Sequence, residues 1–313
     1  PVTAMIGSHV SVPLRRPNGD TYGMFCCFGS APNPSLNERD LGITRAFANL
    51  VAEQIGREFD RNKEVAEKKG LIRNLIAKQD FSLVYQPIVD LYTNRPAGFE
   101  CLTRFDAQPS RTPDIWFNEA ADVGLGTDLE LTVLRHMLAT MLHFPDEMSI
   151  SINAGPETLQ HADFAGLFAG LPFDRIVLEV TEHARIADYD ALSQALRPLR
   201  EKGMKLAVDD AGAGYSSLHH VLKLRPDIIK LDMSLTKNVD TDPAKRSLAA
   251  AMLLFARQTG SVIVAEGIEK KSELEALKAL GISRGQGYLL SRPLVLADAL
   301  RFAGGGAASR ASA

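Results

Sequence analysis

From residue 80 onward, short apolar runs alternate with amphipathic stretches in a regular order. The runs are rich in Val, Ile and Leu and have the length of buried strands, whereas the stretches between several of them have helical periodicity. The predicted strands cover residues 81–90, 97–105, 148–153, 175–180, 204–210, 227–232, 261–267 and 281–288, and the predicted helices cover 127–143, 189–202, 243–259 and 271–280. Strands alternating with helices predict an α/β fold, namely a (βα)₈ barrel, with a doubly wound open sheet as the alternative.

The first two of these runs are joined only by LYTNRPAG, residues 91–98. This segment is too short for a helical crossover, so the two runs should form a hairpin. One strand of the barrel is therefore expected to lie antiparallel to its neighbour.

Polar side chains recur where the predicted strands end. They are Glu100, Asn153, Glu179, Asp209, Asp210, Lys230 and Glu266. In a barrel these ends meet at one rim, where active sites are built. One acid in such a place could simply cap the next helix, but so many at equivalent positions favour a metal site. Carboxylate and amide oxygens suit Mg²⁺, Mn²⁺ or Ca²⁺ better than zinc.

Asp209 and Asp210 are adjacent at the end of one strand, before the turn-forming Gly212 and Gly214. An adjacent pair can serve two ions, and two ions are the usual apparatus for in-line displacement at phosphorus. Lys230 is then placed to orient a nucleophilic water. Arg104 is placed to hold a phosphate as a planar fork.

Length and composition limit the number of domains, the kinds of partner and the kinds of metal site that we expect. The 313 residues suggest one large domain, or one large and one small, and no apolar run approaches the length of a membrane span. The net charge of −3 gives no reason to expect a nucleic-acid polymer as partner. The three cysteines form no CxxC pair, which fits a reducing cytoplasm and excludes a cysteine-rich zinc site. We expect His219 and His220 to be helix-surface residues rather than ligands.

The pattern of residues 1–56 predicts a small α/β unit. Strands at 8–14 and 22–30 flank Asn18-Gly19, a hairpin signal, and a capping box of Ser35 and Glu38 leads into a helix. The pattern resembles the C-terminal half of a GAF domain, but too little of that fold is present for a ligand pocket, so we expect a structural or dimerising remnant.

The flanking segments have simpler patterns. Residues 57–79 read as a charged helix continuous with the preceding one, either pairing in a dimer or solvated as a linker. Residues 304–313 should form a disordered tail.

Eight motifs between residues 80 and 303 resemble the EAL-domain family of cyclic di-GMP phosphodiesterases. In chain order they are YQPIVD (85–90), FECLTRF (99–105), SISIN (149–153), VLEVTE (177–182), LAVDDAGAGYSSL (206–218), DIIKLD (227–232), VIVAEGIE (262–269) and RGQGYLLSRPL (284–294). The resemblance implies a modified (βα)₈ TIM-type barrel with one antiparallel strand, a role in bacterial second-messenger signalling and a homodimer.

The resemblance also implies roles for single residues. The first metal would be held by Glu100, Asn153, Glu179 and Asp209, and the second by Asp210 and Glu266. The catalytic positions would be Lys230, Glu266, Glu182, which anchors the loop after the fifth strand, and Gln286. Substrate-side positions would be Gln86, Leu102, Arg104, Asp232 and Glu269, although Asp232 and Glu269 fit structural hydrogen bonding at the rim equally well.

The reaction that the resemblance implies is Mg²⁺- or Mn²⁺-dependent hydrolysis of one phosphodiester of cyclic di-GMP to linear pGpG, with two ions. A catalytically silent cyclic di-GMP receptor and a structural domain on a degenerate barrel are the alternatives. Complete occupancy of the ligand positions favours the enzyme. The sequence departs from the family at Cys101, expected to point away from Glu100, and at Ala211 and Ala213, which bear on loop control rather than chemistry.

Overall fold

The computed structural model describes residues 6–15, 19–180, 186–212 and 215–305. The chain forms two compact units, one ending at Leu71 and the other beginning at Ile72. No helix among the described residues is long and apolar enough to cross a bilayer.

The N-terminal unit contains an antiparallel pair of strands and the start of a long helix. Strand β1 (Ser8–Arg15) pairs with β2 (Thr21–Gly29), and helix α1 spans Glu38–Lys78. The predicted hairpin is therefore confirmed, although Asn18 lies outside the described residues. A small core of Val12, Leu14 and Ala48 joins the strands to the helix.

The capping box predicted for this helix is wrong by two residues. The Asn37 side chain accepts from the Arg39 amide at 2.8 Å, and Asp40 accepts from the Asn37 amide at 3.0 Å. Ser35 instead donates its hydroxyl to Asn33 Oδ1 at 2.6 Å, so it belongs to the preceding turn. The pairs Ser35 with Glu38 and Asn37 with Asp40 both have the spacing of a capping box. Because Ser35 is used by the preceding turn, Asn37 and Asp40 form the start of the helix.

The second unit is a closed ring of eight strands. They are β3 (Phe81–Asp90), β4 (Arg95–Phe105), β5 (Ser149–Asn153), β6 (Ile176–Val180), β7 (Lys205–Ala211), β8 (Ile228–Leu231), β9 (Val262–Ala265) and β10 (Arg284–Gly285). Strand β3 is antiparallel to both β4 and β10, and the other neighbouring pairs are parallel. The predicted modified (βα)₈ barrel with one antiparallel strand is confirmed, and β11 (Leu294–Val295) pairs with β3 outside the ring.

The last predicted strand, 281–288, is shortened to the two residues of β10. Gly281 ends the preceding helix at a φ of +96°, and Gln286 returns its backbone to Ala265 and Ile268 in a turn. These local contacts take the residues on either side of β10 out of extended geometry.

Helices cover the outside of the ring. The predicted helices appear as α3 (Gly126–Met141), α5 (Tyr189–Glu201), α8 (Pro243–Thr259) and α9 (Lys271–Leu280). The sequence patterns did not predict α2 (Pro113–Asp122), α4 (Pro156–Leu159), α7 (Met233–Thr236) and α10 (Leu296–Ala303). The helix expected to carry His219 and His220 was predicted without bounds, and it appears as α6 (Tyr215–Leu224).

His220 on α6 is not the surface residue that we expected, whereas His219 is exposed. The His220 side chain is 3% exposed, and its Nδ1 lies 2.7 Å from the Tyr189 hydroxyl on α5. Val221 and Leu224 of the same helix are also buried. His220 therefore belongs to the inward face of α6.

Two apolar layers surround the strands. The larger lies between the strands and the helices, and it includes Cys101 beside Tyr85. Burial raises the pKa of the Cys101 thiol to about 12. The smaller layer fills the barrel interior and consists of Ile88, Val177, Ala207, Ile228 and Val264. Cys101 thus packs on the outer face, as expected for a residue next to an inward-facing Glu100.

Candidate active site

The period-two geometry of the strands places the predicted site directly above the inner apolar layer. Residues two positions apart on a strand share a face, so on four parallel strands the inner apolar residue is followed by a polar residue in the next layer. The pairs are Val177 with Glu179, Ala207 with Asp209, Ile228 with Lys230 and Val264 with Glu266. Polar residues scattered along the chain thus converge at the carboxyl ends of the parallel strands.

Lys230 is the centre of this cluster. Its side chain is 1% exposed, and four carboxylates surround its Nζ. The distances are 2.7 Å to Glu179 Oε2, 3.0 Å to Asp209 Oδ1, 3.0 Å to Glu266 Oε1 and 3.3 Å to Glu100 Oε2. One cation therefore holds together acids from four different strands, with Glu100 lying in the middle of β4 and the others near the ends of β6, β7 and β9.

A β-bulge explains how two adjacent aspartates serve one site. The pairing of β7 with β8 shifts between Val208 and Ala211, and Asp210 has a φ of +52°. A regular strand would turn neighbouring side chains to opposite faces, whereas a bulge re-aims one of them. Asp209 and Asp210 both have carboxylate oxygens within 4.8 Å of Glu266.

The acids form two overlapping groups. One comprises Glu100, Glu179 and Asp209, and the other comprises Asp209, Asp210 and Glu266. Within each group, one carboxylate oxygen from every member lies within 4.8 Å of the others. Because Asp209 belongs to both groups, it is the residue that could join two ions.

Two amide side chains complete the cluster. Gln286 Nε2 donates to Glu100 Oε2 at 2.7 Å and to Glu266 Oε1 at 2.8 Å, so it spans both acidic groups. Asn153 Nδ2 lies 3.5 Å from Glu100 Oε1. Gln286 follows the closing strand β10, and Asn153 ends β5.

Burial and charge act against one another in this cluster. Burial raises the pKa of the Glu179 and Glu266 carboxyls above the usual range, and the positive charge of Lys230 opposes that rise. Burial lowers the pKa of Lys230, but the four surrounding carboxylates outweigh it and raise that pKa. Four acids in contact with Lys230, together with Asp210 in the adjoining group, outnumber its single positive charge and leave an excess of negative charge.

The donor set fits a divalent cation. The carbonyl Oδ1 of Asn153 and the Oε1 of Glu179 are buried, and neither has a hydrogen-bond partner among the described residues. Buried oxygens without partners are costly, and a hard cation would satisfy them together with the excess charge.

The remaining predicted residues lie around this cluster. Gln86 pairs directly with Glu100 across β3 and β4, and Leu102 and Arg104 follow on the same face of β4. The Arg104 guanidinium donates to the Thr103 carbonyl at 2.8 Å. Asp232 caps α7 by accepting from the Ser234 amide at 2.8 Å. Glu269 is exposed, 3.6 Å from Lys237 Nζ.

Two predicted positions cannot be placed. Glu182, predicted to anchor the loop after the fifth strand, lies in residues 181–185, outside the described part of the chain. Ala213 lies outside it as well, whereas Ala211 is buried in β7.

Sequence reasoning missed Glu273. Its side chain is fully buried, and it accepts hydrogen bonds from the amides of Glu269 and Lys270 at the start of α9. The available signal was local, since a glutamate three residues after a helix start has the spacing of a capping box.

The chain is similar to proteins of known sequence and structure. It is 34% identical over 234 residues to a cyclic di-GMP phosphodiesterase of Pseudomonas aeruginosa, a match that covers 70% of this chain and 39% of that relative. The chain covers less than half of the curated relatives that it was compared with, for example 29% of a protein of Sinorhizobium fredii and 47% of a probable cyclic di-GMP phosphodiesterase of Escherichia coli.

Two solved structures show the same architecture. The PaMucR phosphodiesterase in complex with c-di-GMP matches with a TM-score of 0.65 and 27% identity, covering 73% of this chain and 98% of that one. BlrP1 of Klebsiella pneumoniae, in a complex with calcium and cyclic di-GMP, matches with a TM-score of 0.63 and 32% identity, covering 70% and 57%.

A family model extends over most of the second unit. It is that of the EAL domain, and it matches residues 70–293. Residues 1–56 precede this match, so the GAF-like resemblance of that region stays a prediction. With the barrel and its acidic rim, this match shows that the chain belongs to the EAL domain family.

Proposed function

We propose that this chain hydrolyses one phosphodiester bond of cyclic di-GMP, with Mg²⁺ or Mn²⁺, and releases linear pGpG. The observation that carries the proposal is the pair of overlapping acidic groups around Lys230. Relatives and solved neighbours that share the domain are named for cyclic di-GMP or contain it.

The proposed ligands divide between two ions. Glu100, Asn153, Glu179 and Asp209 would hold the first, and Asp209, Asp210 and Glu266 would hold the second. Bound ions would supply Lewis-acid activation of the attacking water and would neutralise charge on the phosphate.

The chain's own residues hold this arrangement in place. Lys230 keeps four carboxylates together despite their mutual repulsion, and Gln286 fixes the spacing of Glu100 and Glu266. Glu266 is the proposed acceptor of a proton from the attacking water, because its carboxylate lies in the second acidic group. When water attacks phosphorus in line, the bond from phosphorus to the ribose 3′ oxygen breaks, and that oxygen takes a proton from solvent to become a hydroxyl.

The substrate is proposed to lie over the open rim. Gln86 and Leu102 are half-buried beside Glu100, and Arg104 is exposed further along the same face. A guanidinium there can bind a phosphate oxygen pair. Asp232 and Glu269 are bound to neighbouring protein groups, which favours structural roles for both.

A catalytically silent receptor for cyclic di-GMP is the alternative function. It would bind the nucleotide without needing both acidic groups. Every proposed ligand among the described residues is present and reaches the cluster, which favours hydrolysis.

The test is incubation of the purified chain with cyclic di-GMP and Mg²⁺ or Mn²⁺, with the products separated by chromatography. We expect pGpG to form and EDTA to prevent it. Binding of cyclic di-GMP without pGpG in either metal would support the receptor instead.

A Glu100→Ala variant should lose turnover by at least about a hundredfold while remaining folded, because the change removes a proposed ligand rather than core volume. Glu147→Ala, an exposed position before β5, is the matched control and should keep wild-type turnover. Wild-type turnover by folded Glu100→Ala would contradict the ligand assignment.

We also propose the wider organisation predicted from the sequence, with a GAF-like module at 1–56, a linker helix at 57–79 and a phosphodiesterase domain at 80–303. A homodimer through the linker helix and the barrel is part of that proposal. Exposed apolar side chains on α1, including Phe47, Leu50 and Phe59, support it. Light scattering of the purified chain tests it, and a monomer across the micromolar range would contradict it.

A further inference from the structure

Glu273 on α9 is a fully buried carboxylate outside the acidic cluster. Its exposed fraction is 0%, and backbone amides satisfy it. Its Oε1 accepts from the Asn238 amide at 2.9 Å, and its Oε2 accepts from the amides of Lys270 at 3.0 Å and Glu269 at 3.1 Å. Such charge-assisted bonds are stronger than bonds between neutral groups.

These amides belong to two different segments of the rim. Asn238 lies in the connection after β8, the strand that carries Lys230. Glu269 and Lys270 end the connection after β9, which begins with Glu266. One buried carboxylate therefore joins the connections that follow two neighbouring strands of the site.

Further contacts fix the same two segments to each other. The Thr236 hydroxyl donates to the Glu266 carbonyl, and Lys270 Nζ donates to Asn238 Oδ1 at 3.0 Å. The Glu266 amide donates to the Leu231 carbonyl at 3.0 Å. The backbone of Glu266 is thus held on both sides.

The packing leaves this connection little room to adjust. Gly267 has a φ of +64°, and a Cβ built there would lie 2.5 Å from the Met233 Cβ. Residues other than glycine rarely adopt this backbone conformation, and Gly267 allows the chain to turn sharply directly after Glu266. A small shift of the connection would move Glu266 relative to Asp209 and Asp210.

We propose that Glu273 is a positioning residue that holds Glu266 in the second acidic group and so sets the affinity of that group for a divalent cation. This inference rests on the proposed metal-dependent function. The hydrogen bonds of Glu273 come from the backbone amides of Asn238, Glu269 and Lys270, so it acts through the backbone between residues 266 and 270.

The test compares Glu273→Gln and Glu273→Ala with the full wild-type chain. Mn²⁺ binding is measured by calorimetry without nucleotide, and folding is measured by circular dichroism. We expect about tenfold weaker Mn²⁺ binding in Glu273→Gln, typical for loss of a group that orients a ligand, and at least as much in Glu273→Ala. Glu275→Gln, a half-exposed position on the same helix, is the control and should bind like wild type.

If Glu273 has a purely structural role, its loss should change the stability of the chain but not its affinity for Mn²⁺. Folded Glu273→Gln with a lower Tm but wild-type Mn²⁺ affinity would overturn the proposal. If Glu273→Ala does not fold, Thr236→Val gives a second test, since it removes a tether to Glu266 without touching a buried charge. Unchanged Mn²⁺ affinity in folded Thr236→Val and Glu273→Gln would also overturn it.

The Mn²⁺ binding measurements, together with the pGpG assay on the wild-type chain, separate this inference from the proposed function. Wild-type chain that binds Mn²⁺ but forms no pGpG would contradict the enzyme, whereas the ratio of variant to wild-type affinities would still decide the role of Glu273. Wild-type chain that binds no Mn²⁺ would overturn both.

Discussion

At the scale of single residues, the most demanding position is Lys230. A buried ion pair gains little net stability, because both charges lose their hydration. Here one buried ammonium faces four carboxylates within 3.3 Å, and a fifth, Asp210, lies in the adjoining group. The cluster therefore costs stability in the absence of cations, as expected where a fold gives up stability for function.

Lys230→Met tests this balance. Lys230 is the one ammonium that contacts these acids within the described part of the chain. Its removal leaves the acids without that compensation, so we expect the metal-free protein to lose about 3–5 kcal/mol of stability. Mn²⁺ should restore part of that loss, because its charge replaces that of the lysine. Thermal unfolding in EDTA and in Mn²⁺ measures both effects.

Lys223→Met, on the exposed side of α6, is the control for that experiment. Its Tm should stay close to wild type in either condition. A Tm of Lys230→Met in EDTA equal to that of wild type would show that the acids do not depend on Lys230 for their compensation.

Most residues of the candidate site could be predicted because they end buried strands. Glu179 and Glu266 need only the period of a strand and the shared rim of a barrel to be brought together. The bulge at Asp210 and the burial of His220 could not be predicted in this way. Each depends on what a neighbouring strand or helix contributes, which no local pattern records.

At the scale of elements, the turn after β10 is packed against the turn after β9. Gly287 follows Gln286, and a Cβ built on it would lie 2.2 Å from the Ile268 amide nitrogen. Backbone hydrogen bonds also join the two turns. The Ile268 amide donates to the Gln286 carbonyl at 3.1 Å, and the Leu289 amide donates to the Ile268 carbonyl at 3.0 Å. This contact fixes Gln286 relative to Glu266.

Gly287→Ala should push these turns apart. We expect a loss of stability of about 1–3 kcal/mol, comparable to backbone strain at a functional site, together with lower turnover because Gln286 moves away from both acids. Denaturant unfolding and the pGpG assay measure the two effects. Gly166→Ala, where a Cβ meets nothing within 4 Å, is the control.

An unchanged stability of Gly287→Ala would show that the turns can move apart at no cost. A lower stability with full turnover would show that the position of Gln286 matters little.

The elements that could be predicted are those that a local pattern determines, either a long apolar periodicity or a short connection. The hairpin of β3 and β4 followed from a connection too short for a helix, and α8 followed from its length and periodicity. The two-residue strand β10 could not be predicted, because its extent depends on turns that bind back to β9. Helix α2 begins with a proline after an extended threonine, a signal that the apolar periodicity does not contain.

At the scale of the whole molecule, the barrel unit includes the last turns of α1. Ile72 and Leu75 are 1% and 3% exposed and belong to the large core cluster of the barrel unit. A boundary drawn only from the strands would exclude them, whereas the family match begins at residue 70.

Two truncated chains test where the unit begins. A chain of residues 70–305 should fold and keep the Mn²⁺-dependent rise in Tm, because it retains both core residues and every proposed ligand. A chain of residues 79–305 should be less stable by several kcal/mol, since about 2–5 kcal/mol accompanies each large apolar side chain removed from a core. Equal Tm values for the two chains would contradict this.

Closure of the ring by β10 has a consequence for the order of folding. Arg284 pairs with both Asp90 and Val264, so the first strand of the barrel stays without one of its ring neighbours until the last strand has been synthesised. Gln286 arrives with that closing strand and bridges Glu100, from an early strand, to Glu266. Pairing between such distant parts of a chain is slow. A nascent barrel on the ribosome therefore carries most of its acids before it can hold them in place, and hydrolytic activity should report completion of the ring.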